Sequence, residues 1–242
     1  MIATKLIKTK IIFAFTCLLL WIPLYIIVRH LMTSSITEQK GVKLGPLPQS
    51  QPFGDIPQVK VSVYYESLCP DSQYFVVDQL APTFKRLPSL VKTDLVPYGK
   101  ATTTEVNNDY KFTCQHGEIE CQGNIYHSCV IKHVKDQGTA LEVVQCMISN
   151  NIDPAGIALQ CCETYGVNFT TISRCAEGKE GRRLLKYFGD RTKNDLSPPL
   201  AFVPTVLING ERRNQPLVLK NLFKEICAYY RTISKVPREC DT

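Results

Sequence analysis

The sequence predicts an α/β fold with a disulfide-rich, mainly helical insertion, preceded by an N-terminal apolar helix. Three observations carry that expectation. β-branched, alternating runs at residues 58–67, 91–98 and 202–208 read as strands, and helical periods at 71–87 and 217–230 separate or follow them. The order is strand, helix, strand, then, after a long interval, strand, turn and helix, which is a small layered α/β arrangement interrupted in the middle. Of the eleven cysteines, ten follow the apolar N-terminal segment, a density that suits an oxidising compartment.

Residues 1–10 carry Lys5, Lys8 and Lys10, which the positive-inside rule places in the cytoplasm. Residues 11–28, "IIFAFTCLLLWIPLYIIV", hold no charge and are just long enough to span a bilayer. No small-x-small cleavage site follows, so a signal-anchor is expected, with a cleaved signal sequence as the alternative. Either way the rest of the chain is lumenal or extracellular. Residues 29–57 are polar and rich in Pro, Gly and Gln, and read as a linker. The folded domain is expected over 58–242, with the insertion at about 101–190. The net charge of +6 comes partly from the N-terminal lysines, and no Lys/Arg-rich run supports nucleic-acid binding.

Within the domain, Gln58 to Ser67 is the first expected strand. The helix after it, from Asp71 to about Leu87, contains Pro82, which is expected to kink or divide it. Val91 to Tyr98 is the second strand. Residues 101–130 are polar and show no clean period. Residues 131–190 read as several helices broken at Gly138, Asn150-Asn151, Pro154, Gly166, Gly178 and Gly181. Phe202 to Ile208 ends in Asn209-Gly210, a hairpin signal that predicts a paired strand. Leu217 to Tyr230 reads as one amphipathic helix. Asn168-Phe169-Thr170 is a glycosylation sequon.

Cys69 stands where the first strand gives way to the first helix, in "YYESLCPDS". Unpaired N–H groups and the partial positive charge of a helix N-terminus stabilise a thiolate there. Pro70 suits the first helical turn, whereas the Asp71 carboxylate opposes the thiolate unless solvent screens it. A dithiol site would put its second cysteine one turn on, at position 72, which is Ser72. A hydroxyl can donate to a thiolate but cannot resolve a mixed disulfide. A structural cysteine paired elsewhere is the competing reading. Pro204, inside "FVPTVLI", points to a cis bond, which would bare backbone for a docked peptide, or to an edge strand.

Strand, Cys-x-x-Ser, helix and a later Val-Pro-Thr together resemble the thioredoxin-like fold. Residues 114–129, "CQHGEIECQGNIYHSC", fit Cys-Gln-His-Gly-x-x-Glu-Cys-x-x-Asn-x-x-x-x-Cys through Cys114, Gln115, His116, Gly117, Glu120, Cys121, Asn124 and Cys129. This signature is similar to that of the gamma-interferon-inducible lysosomal thiol reductase family, and the resemblance runs over about 58–240. It implies a thioredoxin-like fold with a helical insertion, protein disulfides as substrates, and Cys69 as nucleophile with Ser72 and Pro204 beside it. Cys114, Cys121, Cys129, Cys146, Cys161, Cys175, Cys227 and Cys240 match family cysteines, enough for four bridges among 105 possible pairings. Cys69 and Cys162 are left over; Cys162 is either a buried thiol or a substitute partner for Cys69.

Cys114, His116, Cys121 and Cys129, with His127 and His133 nearby, are the zinc alternative. In an oxidising lumen disulfides are favoured, and the spacing fits no standard zinc ribbon, so no metal or resident cofactor is expected; the resemblance agrees and implies that His116 is a structural residue of the insertion. With Ser72 in place of a cysteine, resolution must come from an external low-molecular-weight thiol or from the substrate itself. The alternative is an impaired relative that binds or captures disulfide-containing partners.

Overall fold

The computed structural model describes residues 56–241, together with Ile26, Ile27 and Arg29. The expected anchor or signal at 11–28 and the linker at 29–57 therefore lie almost wholly outside the described residues. Among the described residues no helix is long and apolar enough to cross a membrane.

The central sheet has the order β2–β1–β5, built from β1 (Val59–Tyr65), β2 (Val91–Pro97) and β5 (Thr205–Ile208). β1 runs parallel to β2, with Val59 opposite Val91 and Tyr65 opposite Pro97. It runs antiparallel to β5, with Val61 opposite Ile208 and Tyr64 opposite Thr205. Strand side chains alternate between faces. Val59, Val61, Val63 and Tyr65 accordingly join the larger core cluster with Phe75, Leu80, Ile226 and Tyr230. Tyr64, Val96 and Leu207 join the smaller one with Leu185 and Phe188.

Helix α1 follows β1 in three parts: Pro70–Tyr74, a π-helical stretch Phe75–Leu80, and Ala81–Arg86. The expected disturbance at Pro82 takes this form. The Ala81 amide reaches back five residues to the Val76 carbonyl, and Pro82, which has no N–H, falls in the first turn of the last part.

The polar stretch after β2 contains a hairpin absent from the sequence expectation, β3 (Thr102–Val106) and β4 (Asp109–Thr113). Its turn is Asn107-Asn108, both at positive φ (51° and 58°). The insertion then runs through α2 (Glu118–His133), α3 (Gln137–Ser149), α4 (Pro154–Thr164), α5 (Phe169–Glu177) and α6 (Lys179–Asn194). Asp136, Asp153 and Asn168 cap α3, α4 and α5 with their side chains. Gly181, expected at a break, lies inside α6. Disulfides Cys114–Cys121, Cys129–Cys175, Cys146–Cys161 and Cys227–Cys240 tie these pieces and the C-terminus together.

Two further expectations are corrected after β5. Asn209-Gly210 does turn, at φ 52° and 82°, but only an isolated bridge from Ile208 to Glu211 follows rather than a paired strand. The Gln215 side chain stands in for that strand. Its Oε1 accepts from the Val206 amide and its Nε2 donates to the Val206 carbonyl, both at 2.8 Å. The single helix expected at 217–230 is two, α7 (Gln215–Lys220) and α8 (Leu222–Thr232). Asn221 separates them in a non-helical conformation (φ −153°, ψ 78°), and its side chain accepts from the Lys224 amide.

An ion network fastens the sheet to α6. Arg191 donates twice to Asp94 at 2.8 Å, and Lys60 and Ser62 add 2.9 and 2.8 Å contacts. Burial pushes the Asp94 carboxyl up, but Arg191, with Lys60 and Ser62, outweighs this and holds it well below the usual carboxylate range.

Candidate active site

Cys69 is the N-cap residue of α1, in an extended conformation, and its carbonyl accepts from the Gln73 amide at 2.9 Å. Pro70 occupies the first turn. Cys69 is a free thiol, 7% exposed. Its Sγ lies 3.9 Å from the Val203 carbonyl oxygen. The Val203–Pro204 peptide is cis, and both residues are buried. The structure thus brings Cys69 and the Pro204 loop together from positions 134 apart in sequence. Asp71 is exposed, so water screens its carboxylate from the thiol.

Ser72 is fully buried, and its hydroxyl is not aimed as the sequence suggested. Its Oγ accepts from the Glu66 amide at 3.3 Å, and no hydrogen bond to Cys69 is formed among the described residues. Cys162 is also a free, fully buried thiol on α4, pushed up to about 11 by burial, and it is not bonded to Cys69. The substitute-partner reading is therefore not realised.

The signature segment forms the floor under the Glu66–Cys69 loop. Asn124 Oδ1 accepts from the Ser67 amide at 2.9 Å, and Ser67 Oγ donates to the Glu120 carbonyl at 3.1 Å. Gly123 makes this approach possible, since a Cβ there would stand 2.5 Å from Ser67 Oγ. Gly117, at φ 84°, caps α2, and the Cys114–Cys121 bridge closes the turn before it. Gln115 is exposed, and among the described residues it makes no side-chain hydrogen bond to the site.

Glu66 was missed from the sequence. It directly follows the buried strand β1, and its side chain is 0% exposed. Oε1 accepts from the Lys100 amide at 2.7 Å, while Oε2 has no hydrogen-bond partner and lies 3.6 Å from His116 Nδ1. Gly99 leaves room for it: a Cβ there would stand 2.1 Å from Glu66 Cγ, at φ +60°. Burial pushes the Glu66 carboxyl above its usual range and Glu120 adds to this, opposed by the Lys100 amide and by His116. His116 Nδ1 is 2.5 Å from Glu120 Oε2, and the His116 amide donates to Glu120 Oε1 at 3.1 Å. His116 thus bonds to Glu120 within the insertion and also reaches outside it, to Glu66. The only available signal was an acid, Glu66, at the end of an apolar strand three residues before the cysteine.

The zinc set considered from sequence is dismantled by the bridges, because Cys114 pairs with Cys121 and Cys129 with Cys175. His127 is fully buried, lies 3.0 Å from the Tyr65 hydroxyl, and is driven by burial down to about 3, so it stays neutral. His133 pairs with Glu180. The 2.5 Å separation in the His116–Glu120 pair is that of a hydrogen bond, closer than two donors sit on one metal ion.

A cysteine capping a helix beside a cis-proline loop, on a parallel strand–helix–strand unit, defines a thioredoxin-like thiol–disulfide scaffold. Solved structures agree on the fold. The chain is similar to DsbA from Chlamydia trachomatis (TM-score 0.53, 13% identity, 81% of this chain and 97% of that one). It is similar also to reduced DsbA from Mycobacterium tuberculosis (TM-score 0.52, 18% identity, 79% and 90%). Sequence comparison narrows the class. Residues 60–165 match the model of the gamma interferon inducible lysosomal thiol reductase (GILT) family. The protein is 38% identical to a gamma-interferon-inducible lysosomal thiol reductase of Carassius auratus over 195 residues (79% of this chain, 76% of that protein). It is 36% identical over 197 residues to a relative of that reductase in Anopheles gambiae (76% and 80%). The chain belongs to the GILT family, in a form with Cys-x-x-Ser at its site.

Proposed function

We propose that this protein is a thiol–disulfide oxidoreductase that acts on protein disulfides through Cys69 alone. The observation that carries the reading is a free cysteine at a helix N-terminus, 3.9 Å from the carbonyl before Pro204. The Cys69 thiolate attacks one sulfur of a substrate disulfide. A new bond forms to Cys69, the substrate S–S bond breaks, and the departing sulfur takes up a proton. An external low-molecular-weight thiol then attacks Cys69 Sγ and releases the substrate's second thiol. A second external thiol frees Cys69, so two thiols leave as one disulfide. No resident cofactor takes part.

A second reading is favoured by Ser72. Its hydroxyl cannot resolve a mixed disulfide, so slow external resolution would make the protein a covalent trap for disulfide-containing partners. The four bridges and the relatives described as lysosomal support a lumenal setting, reached through residues 11–28 as anchor or cleaved signal. Asn168 is exposed and open to glycosylation, although its cap role accounts for an asparagine there without a glycan.

Turnover of a model protein disulfide with glutathione, compared between the parent and Cys69→Ala, separates the readings. Reduction that depends on both Cys69 and glutathione supports the oxidoreductase. Covalent capture at Cys69 without turnover supports the trap. A Cys69 thiol inert to alkylation from pH 5 to 8 in the folded protein refutes both.

A further inference from the structure

We propose that Glu66, His116 and Glu120 form a proton-dependent clasp that positions the Cys69 loop: closed when the cluster holds its protons, and opened when the two buried carboxylates are left to repel each other. This rests on the reading of Cys69 as the working thiol, and names the residues that hold its loop in place.

Glu66 and Glu120 are both 0% exposed, come from different parts of the fold, and face the same imidazole nitrogen. His116 Nδ1 is hydrogen-bonded to Glu120 and lies 3.6 Å from Glu66 Oε2, which has no hydrogen-bond partner among the described residues. Two ionised carboxylates beside one neutral imidazole would leave a buried, uncompensated charge, which the fold tolerates poorly.

Every other tie on the loop is neutral. The Ser67 amide goes to Asn124, the Ser67 hydroxyl to the Glu120 carbonyl, and the Glu66 amide to Ser72 on α1. From the β2–β3 connection, the Lys100 amide binds Glu66 Oε1, and the Lys100 ammonium acts on Glu66 only from a distance. The cluster is therefore the part of this seam that responds to pH.

The sign follows from Glu66. Its carboxyl is raised in the closed state, so the closed state is favoured below the usual glutamate range, about pH 4.3, and that advantage is lost as pH rises through the raised value. The loop is thus firmest under acid conditions.

Amide hydrogen exchange of the segment 66–72, corrected for intrinsic rates, tests this between pH 4.5 and 8 on the folded protein, its Glu66→Gln variant and its His116→Gln variant. Glu66→Gln keeps the acceptor for the Lys100 amide and removes the charge. Protection of the parent's Ser67 amide is expected to fall several-fold as pH rises across the range. Glu66→Gln should be flat and high, and His116→Gln should lose more protection than the parent as pH rises, because no imidazole then faces the two carboxylates. A flat parent, or a Glu66→Gln profile parallel to the parent's, overturns the clasp. The measurement involves no thiol chemistry, so its failure is distinguishable from failure of the oxidoreductase reading. Where Glu66→Gln does not fold, His116→Gln decides: protection that falls with pH as in the parent refutes the proposal.

Discussion

Replacing Ser72 with cysteine should restore an internal resolving thiol at a measurable cost in stability. The Ser72 hydroxyl is fully buried and accepts from the Glu66 amide at 3.3 Å. A sulfur is a weaker acceptor, and losing this bond costs about 1 kcal/mol. Fitting the larger atom into a site with no free surface costs about 1 kcal/mol more. Together these lower Tm by roughly 4–8 °C for a domain of this size.

Against that stands the chemistry. A thiol one helical turn from Cys69 acts at an effective concentration of roughly millimolar or above, so it needs no outside thiol to cleave the mixed disulfide. The assay is a single turnover of pre-reduced protein with excess model disulfide and no added thiol, quenched with acid and read by mass spectrometry. The parent should accumulate a mixed disulfide at Cys69. Ser72→Cys should yield an internal Cys69-to-72 disulfide, free substrate thiol and little adduct. If the variant accumulates the same adduct as the parent, the hydroxyl's position does not correspond to that of a resolving thiol, and the account of Ser72 as the missing half of a dithiol site is wrong.

Three further outcomes are expected. Cys162, pushed to about 11 and 0% exposed, should resist alkylation in the folded protein and react once it is denatured without reduction; labelling at a rate like that of Cys69 would contradict its burial. Arg191→Ala should destabilise the domain by about 3 kcal/mol in urea unfolding, because it strips Asp94 of its paired donor while leaving it 17% exposed. Asp94 is depressed in the folded state, so its contribution is present above about pH 4 and lost only as pH falls further; the parent-to-variant difference should hold at pH 5 and shrink below pH 3. Removing the Cys129–Cys175 bridge by double alanine substitution opens a 46-residue loop and should cost about 4 kcal/mol, read from the urea midpoint.

What the sequence made legible follows from how local each signal is. β1, β2 and α1 were found because strand alternation and the Cys69–Pro70 helix start are written in adjacent residues. The β3–β4 hairpin was missed because its strands are short and polar, and its Asn107-Asn108 turn lacks the glycine that marks such turns most strongly. The paired strand expected after Asn209-Gly210 is replaced by one side chain, Gln215, and no periodicity reports that an amide will complete a sheet edge. The break at Asn221 was hidden for a related reason. The apolar stripe of α7 continues into α8, and only the capping habit of asparagine divides it.

The site was legible in its chemistry and illegible in its support. Cys69, Ser72 and Pro204 declared themselves by residue type at a strand–helix junction and inside a strand. Glu66 did not, because a single acid at a strand end is ordinary until its surroundings are known, and these come from Gly99, Lys100 and His116. The signature residues read most simply as a scaffold for disulfides. In the structure the Cys114–Cys121 bridge shapes the turn, but Asn124 and Glu120 accept hydrogen bonds from Ser67, and His116 meets Glu66. The insertion therefore bears on the reactive cysteine through its own polar groups. A substitution at Asn124, on a helix of the insertion, should disturb the loop that carries the thiol as directly as a substitution in α1.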